Sequence, residues 1–146
     1  MSSAVFWLVL IGAWLAADTP DSTKRDLAMM QGDWNAMAMV RDGMKVPDDD
    51  ANSLFRTVKG QEYTVYRFDM LVGKGTFTID ATKSPKTIDA HAGSGPAKGK
   101  PMLGIYEIDG KTLKVCFALP GKPRPMDFTA KEESGHTLTI WERERK

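Results

Sequence analysis

From Trp34 to Arg143 the chain alternates apolar and polar residues over short stretches and breaks each time at Gly, Pro or Asp. A two-residue period is that of a strand with one face buried and one solvated. Leu113, Val115, Phe117 and Leu119 share one face, opposite Thr112, Lys114 and Cys116. Phe77 and Ile79 alternate with Thr76, Thr78 and Asp80, and Leu138 and Ile140 with Thr137 and Thr139. The pattern predicts about eight strands, over Trp34–Arg41, Glu62–Asp69, Gly75–Asp80, Lys86–Ala92, Met102–Asp109, Thr112–Leu119, Met126–Ala130 and Thr137–Arg143. Asp109-Gly110 is read as a type I′ hairpin turn. Helices are few. Asp21-Ser22 can cap a short helix over about Thr23–Met30, ended by Gln31-Gly32. Pro47–Val58 carries Ala51, Leu54, Phe55 and Val58 on one helical stripe behind three acidic residues, and is read as a lid or connecting helix. No strand–helix–strand alternation appears, so a parallel sheet is not expected. An all-β, antiparallel, up-and-down barrel of about eight strands with a short N-terminal helix follows, because closure removes exposed edges. A two-sheet sandwich is the other architecture that the pattern allows.

Ala4–Ala17 is an uncharged apolar run that ends abruptly at polar Asp18–Asp26. It is shorter than the roughly 20 residues of a membrane-spanning helix and suits a secretory signal. The organisation expected is a signal peptide over 1–17, a short helix and linker over 18–31, and a barrel domain over 32–146. A retained N-terminal anchor or a buried core helix is the other reading of the run. Export places the mature protein in the periplasm or outside the cell, without stable membrane insertion once the signal is removed. Cys116 is the single cysteine, so no internal disulfide can form. Within Leu113–Phe117 it reads as an inert strand residue. A net charge of +1 with interspersed signs excludes a nucleic-acid groove.

No catalytic constellation emerges. Gly93–Lys100 fails phosphate-loop spacing, since Ser94 stands five before Gly99 and Pro101 replaces the Ser or Thr. His91 and His136 have no metal-spacing partner, and Asp48–Asp50 lacks the calcium-loop pattern. Glu142 and Glu144 share one strand face rather than facing each other across a cleft. No enzyme activity, cofactor or metal is therefore expected. Pro120–Pro125, with three prolines and two cations, reads either as a stiff connection or as a docking loop for a protein partner.

Gly32-Asp33-Trp34, opening the first strand after a short helix, resembles the Gly-x-Trp motif of lipocalins. That resemblance implies that Gly32 and Trp34 close the barrel floor and that Arg143 packs over the Trp34 ring, with Arg145 the second candidate. Gln31–Trp34, Asp42-Gly43 with Val46-Pro47, Lys74–Phe77, Pro85–Asp89, Gly95-Pro96 with Lys98–Lys100, Leu103–Glu107, Leu113–Ala118 and Pro120–Pro125 follow in order. Over about Leu27 to Arg143 this series resembles an uncharacterised lipocalin-like domain family described from planctomycete bacteria. The resemblance implies the barrel and carries no activity. A barrel mouth makes a natural pocket for a small apolar ligand. Trp34, Ala36 and Ala38 on one face of the first strand, with Phe77, Ile79, Val115 and Phe117 from others, are the expected lining. These side chains either line a cavity or fill it. Binding of a small hydrophobic ligand is the leading functional expectation, and an envelope protein-interaction or inhibitor module acting through its loops is the alternative.

Overall fold

A computed structural model describes residues 19–145; the expected signal peptide over 1–17 lies outside them. Nine strands and two short helices follow the order α1 (Asp21–Met30), β1 (Gly32–Arg41), β2 (Met44–Lys45), α2 (Asp48–Asn52), β3 (Leu54–Lys59), β4 (Glu62–Arg67), β5 (Met70–Asp80), β6 (Thr87–Ala92), β7 (Met102–Ile108), β8 (Thr112–Phe117) and β9 (Thr137–Arg143). Each strand from β3 to β8 pairs antiparallel with the next, and β1 pairs with both β3 and β9. That second pairing closes an eight-stranded up-and-down barrel, with β2 as an extra strand folded back on the end of β1. The sandwich is excluded by this closure.

Local chemistry explains the connections. Asp42 and Gly43 both have positive φ and join β1 to β2, the geometry of a type I′ turn. At Asp109-Gly110, by contrast, only Gly110 has positive φ. There Gly110 and Lys111 are the central residues, while the Asp109 carboxylate accepts hydrogen bonds from the backbone N–H of Lys111 and Thr112. The turn is thus of the kind with glycine first, not the type I′ turn expected.

Three expectations need correction. The stretch read as one helix, Pro47–Val58, is helical only over Asp48–Asn52 and then becomes β3. Leu54, Arg56 and Val58 are its buried face, so strand alternation wins over the helical stripe. Met126–Ala130 is not a strand but an irregular segment across the outside of β8. There Phe128 lies 4.6 Å from Lys114 Nζ, Cys116 meets the backbone of Ala130, and both Cys116 and Ala130 are fully buried. The third concerns β1. Trp34 and Ala36 face inward, but the register slips at Met37, which is the extra residue of a β-bulge. Beyond it the faces exchange. Met39 is buried opposite Thr139, whereas Ala38 lies outside opposite Ile140.

α1 lies across one end of the barrel and is tied there by polar contacts. The buried Asp26 carboxylate accepts hydrogen bonds from Lys86 Nζ and Tyr106 Oη, each at 2.8 Å. Thr23 Oγ1 accepts from the N–H of Ala81, and Gln31 exchanges two hydrogen bonds with the Gly60 backbone. Met30, Trp34, Val58, Phe77, Ile88, Tyr106 and Leu113 fill this half of the barrel. At the other end, the mouth, the segment 118–136 folds back onto the β1–β2 turn. Asp42 N–H donates to the His136 carbonyl, Gly43 N–H to that of Ala130, and Gly135 N–H to the Asp42 carboxylate.

Candidate functional site

The floor contains Trp34, which has no exposed surface and donates from Nε1 to the Met30 carbonyl at 2.9 Å. Arg143 stands opposite it in the β1–β9 ladder, with its guanidinium carbon 4.3 Å from the ring centroid. The same guanidinium donates to the carbonyls of Gln31, Gly110 and Met29. An added Cβ at Gly32, whose φ is +107°, would lie 3.1 Å from Arg143 Nη1, so glycine serves both the backbone and the packing there. Arg145 is exposed and pairs loosely with Glu142 instead.

The mouth half is hollow. A cavity of about 370 Å³ lies within the strands and reaches Leu119, Pro120 and Gly135 at the mouth. Of the expected lining, Val115 and Phe117 border it. Trp34, Ala36 and Phe77 are packed in the closed half, Ile79 leans on that core, and Ala38 is outside. The expected pocket was therefore displaced toward the floor. Its real walls come from Met39, Leu54, Val65, Ala90, Met102 and Trp141, among others.

One wall residue is a cation. Arg56 projects inward from β3 between Leu54 and Val58 and is only 5% exposed. Its guanidinium carbon lies 5.4 Å from the Tyr63 ring centroid and 5.7 Å from that of Phe77. Such contacts recover about 0.5–2 kcal/mol each, well below the cost of taking a charge out of water. No carboxylate among the described residues forms a salt bridge with it, and buried Nε has no hydrogen-bond partner among them. Burial pulls its pKa down from the ordinary 12.5 to about 10, so Arg56 is still charged at neutral pH. Tyr63 beside it is pushed up by burial, partly offset by that same charge. Arg41 adds a second cation to the lining, and no Asp or Glu borders the cavity among the described residues.

Arg56 is the residue that sequence reading missed. Its signal was present: a lone Arg flanked at two-residue spacing by Leu54 and Val58. Elsewhere the chemistry is spent on structure. In the Pro120–Pro125 loop, Arg124 Nη1 bonds Asp89 Oδ1 at 2.6 Å and the carbonyl oxygens of Gly104 and Ile88, which fastens the loop to the barrel wall. Among the described residues no group of three His, Cys, Asp or Glu side chains could hold a metal ion. No protein-family model matches the chain, and no curated protein matches it significantly. What the fold and the site define is a β-barrel closed at one end, with an apolar, cation-bearing cavity at the other.

Proposed function

We propose that this protein is a non-catalytic binding protein that holds a small, mainly apolar molecule in the mouth half of its barrel. The observation that carries this reading is the cavity, about 370 Å³ in volume and walled largely by apolar side chains. That size and character suit small-molecule sites, which are usually concave, preformed and apolar with a few polar groups. The apolar run before α1 supports a setting outside the cytoplasm, where such a carrier would meet its ligand.

A neutral apolar fluorophore such as N-phenyl-1-naphthylamine tests the proposal. Saturable one-site enhancement is expected with the wild type and its loss in Ala90→Phe, which places a ring in the cavity. Absence of saturable binding in the folded wild type would overturn it.

A second reading rests on a different feature. Phe68, Met70, Leu71 and Val72 form an exposed apolar tip on the β4–β5 hairpin at the mouth. Such a tip favours a protein-interaction module of the envelope acting through its loops. Cross-linking from position 68 in the native host separates the readings: a single protein adduct favours this one.

A further inference from the structure

An inward-pointing arginine that opposes stability calls for a reason. Arg56 occupies a position where the alternation of β3 asks for an apolar side chain, and its neighbours Leu54 and Val58 are apolar. Burying a cation without a hydrogen-bonded counter-charge is among the costlier arrangements a fold can contain. The two aromatic faces beside it offset only part of that cost. The residue is only 5% exposed, and its Nε is fully buried and unpartnered. It borders the same cavity that the apolar walls enclose.

We infer that the molecule held in the barrel is an amphiphile with an apolar tail and a carboxylate head, and that Arg56 is the residue that binds the head. This rests on the reading of the cavity as a ligand site. Three features select a carboxylate. The planar guanidinium fork presents two parallel N–H donors, and a carboxylate presents two matching acceptors. A single deep cation is neutralised by a single negative charge, whereas a phosphate dianion would leave an excess charge in an apolar chamber. No acidic side chain borders the cavity among the described residues, so nothing in its wall competes for Arg56 or repels the incoming anion. The apolar residues from Met39 to Met102 then surround the tail, and Arg41, exposed at the mouth end of β1, leaves Arg56 the single deep cation.

Matched competitors provide the test. The full-length protein, loaded with N-phenyl-1-naphthylamine, is titrated with decanoate and with decanol, which share a tail and differ in the head. Decanoate is expected to displace the probe at concentrations at least about tenfold lower, a difference of about 1.4 kcal/mol. In Arg56→Met that advantage should disappear while probe and decanol still bind. Arg56→Lys, which keeps the charge but loses the fork, should retain only part of it. Thermal unfolding of each variant monitors folding, and decanoate should raise the wild-type midpoint more than decanol does. Probe binding with equal potency of acid and alcohol would overturn the head-group assignment and leave the apolar site standing. So would an acid preference that survives in folded Arg56→Met. Failure of both probe and decanoate to bind, with calorimetry as the direct measurement, would overturn the cavity reading and this inference together.

Discussion

Arg143 stands opposite Trp34 across the first and last strands of the barrel and covers its indole ring at 4.3 Å, so one contact both seals the floor and joins the two ends of the sheet. Trp34→Ala should cost about 3–5 kcal/mol, the range for emptying a buried aromatic site. Arg143→Ala loses the ring contact and also the bonds to the Gln31, Gly110 and Met29 carbonyls. A double-mutant cycle with Trp34→Leu should therefore show coupling of about 0.5–2 kcal/mol, with the carbonyl share of the Arg143 loss left over. Urea titrations of the four proteins measure both parts, and fully additive losses would show that the stacking contributes nothing.

Arg56 should be a cost to the empty protein. Replacing it with Met removes an unpaired buried charge and keeps most of the volume, so stability should rise on the order of 1 kcal/mol or more. A gain in stability coupled to a loss of binding is the usual mark of a residue kept for its site. Denaturant midpoints of Arg56→Met and wild type decide it; a marked loss of stability in the variant would mean that the guanidinium supports the fold.

The bulge at Met37 puts Ala36 and Ala38 on opposite faces of β1, so Ala38 lies outside the cavity that Ala90 of β6 borders. Ala38→Phe, on the outer face, should leave probe binding within about twofold of wild type, consistent with the small effects of surface changes. Ala90→Phe, inside the cavity, should abolish it. If Ala38→Phe also abolished binding, the inner face of β1 would have to continue past Ala36 without a slip.

Tyr106 gives the fold an alkaline limit. Burial, first, and then its hydrogen bond to Asp26 hold the phenol proton on far above the ordinary value of 10.0. The folded state therefore binds this proton more tightly than the unfolded chain does. Its contribution is complete below pH 10 and falls as the unfolded state ionises above that pH. Arg56 acts with the opposite sign: its folded-state pKa is lowered to about 10, so its penalty is full below that pH and shrinks as the pH rises from about 10 towards the ordinary 12.5. Tyr106→Phe should lower stability by about 1–2 kcal/mol at pH 8 by removing a partner of a buried carboxylate. The gap to wild type should narrow above pH 10, as read from urea midpoints between pH 8 and 11. A constant gap would place the phenol's ionisation outside the folding equilibrium.

Cys116 should not react while the protein is folded. It is fully buried beneath the segment that follows β8, and burial pushes its thiol up from the ordinary 9.0. Ellman's reagent should label it only after denaturation; rapid native labelling would mean that the covering segment opens.

Much of the barrel can be read in the chain because most strands carry an unbroken alternation. Thr112–Phe117 is recognisable for that reason. Thr137–Arg143 is found as a strand but with its faces exchanged, since Thr139 and Trp141 are buried inside while Leu138 and Ile140 face outward. Trp34 and Arg143 follow from the Gly-x-Trp resemblance. The third strand is not legible for the same reason that the cavity's cation is not. Arg56 interrupts the apolar face of Leu54–Lys59, and once it is discounted the remaining apolar residues fall at helical spacing with Ala51. The bulge at Met37 leaves no compositional trace, since either register of Ala-Met-Ala-Met-Val offers small and apolar residues to both faces. That slip accounts for Ala38 alone; Trp34, Ala36, Phe77 and Ile79 miss the cavity because they lie in the closed half of the barrel, a height along the strands that the two-residue period does not encode.

Closure by the first and last strands also fixes the molecule's polarity as an object to be handled. α1 crosses the floor just before β1 begins, and β9 ends there beside Trp34, so both ends of the described chain emerge on the side away from the mouth. A dye, a bead or a neighbouring domain joined at either end would leave the entrance facing outward, and pairs of such attachments could be exchanged without turning the barrel round.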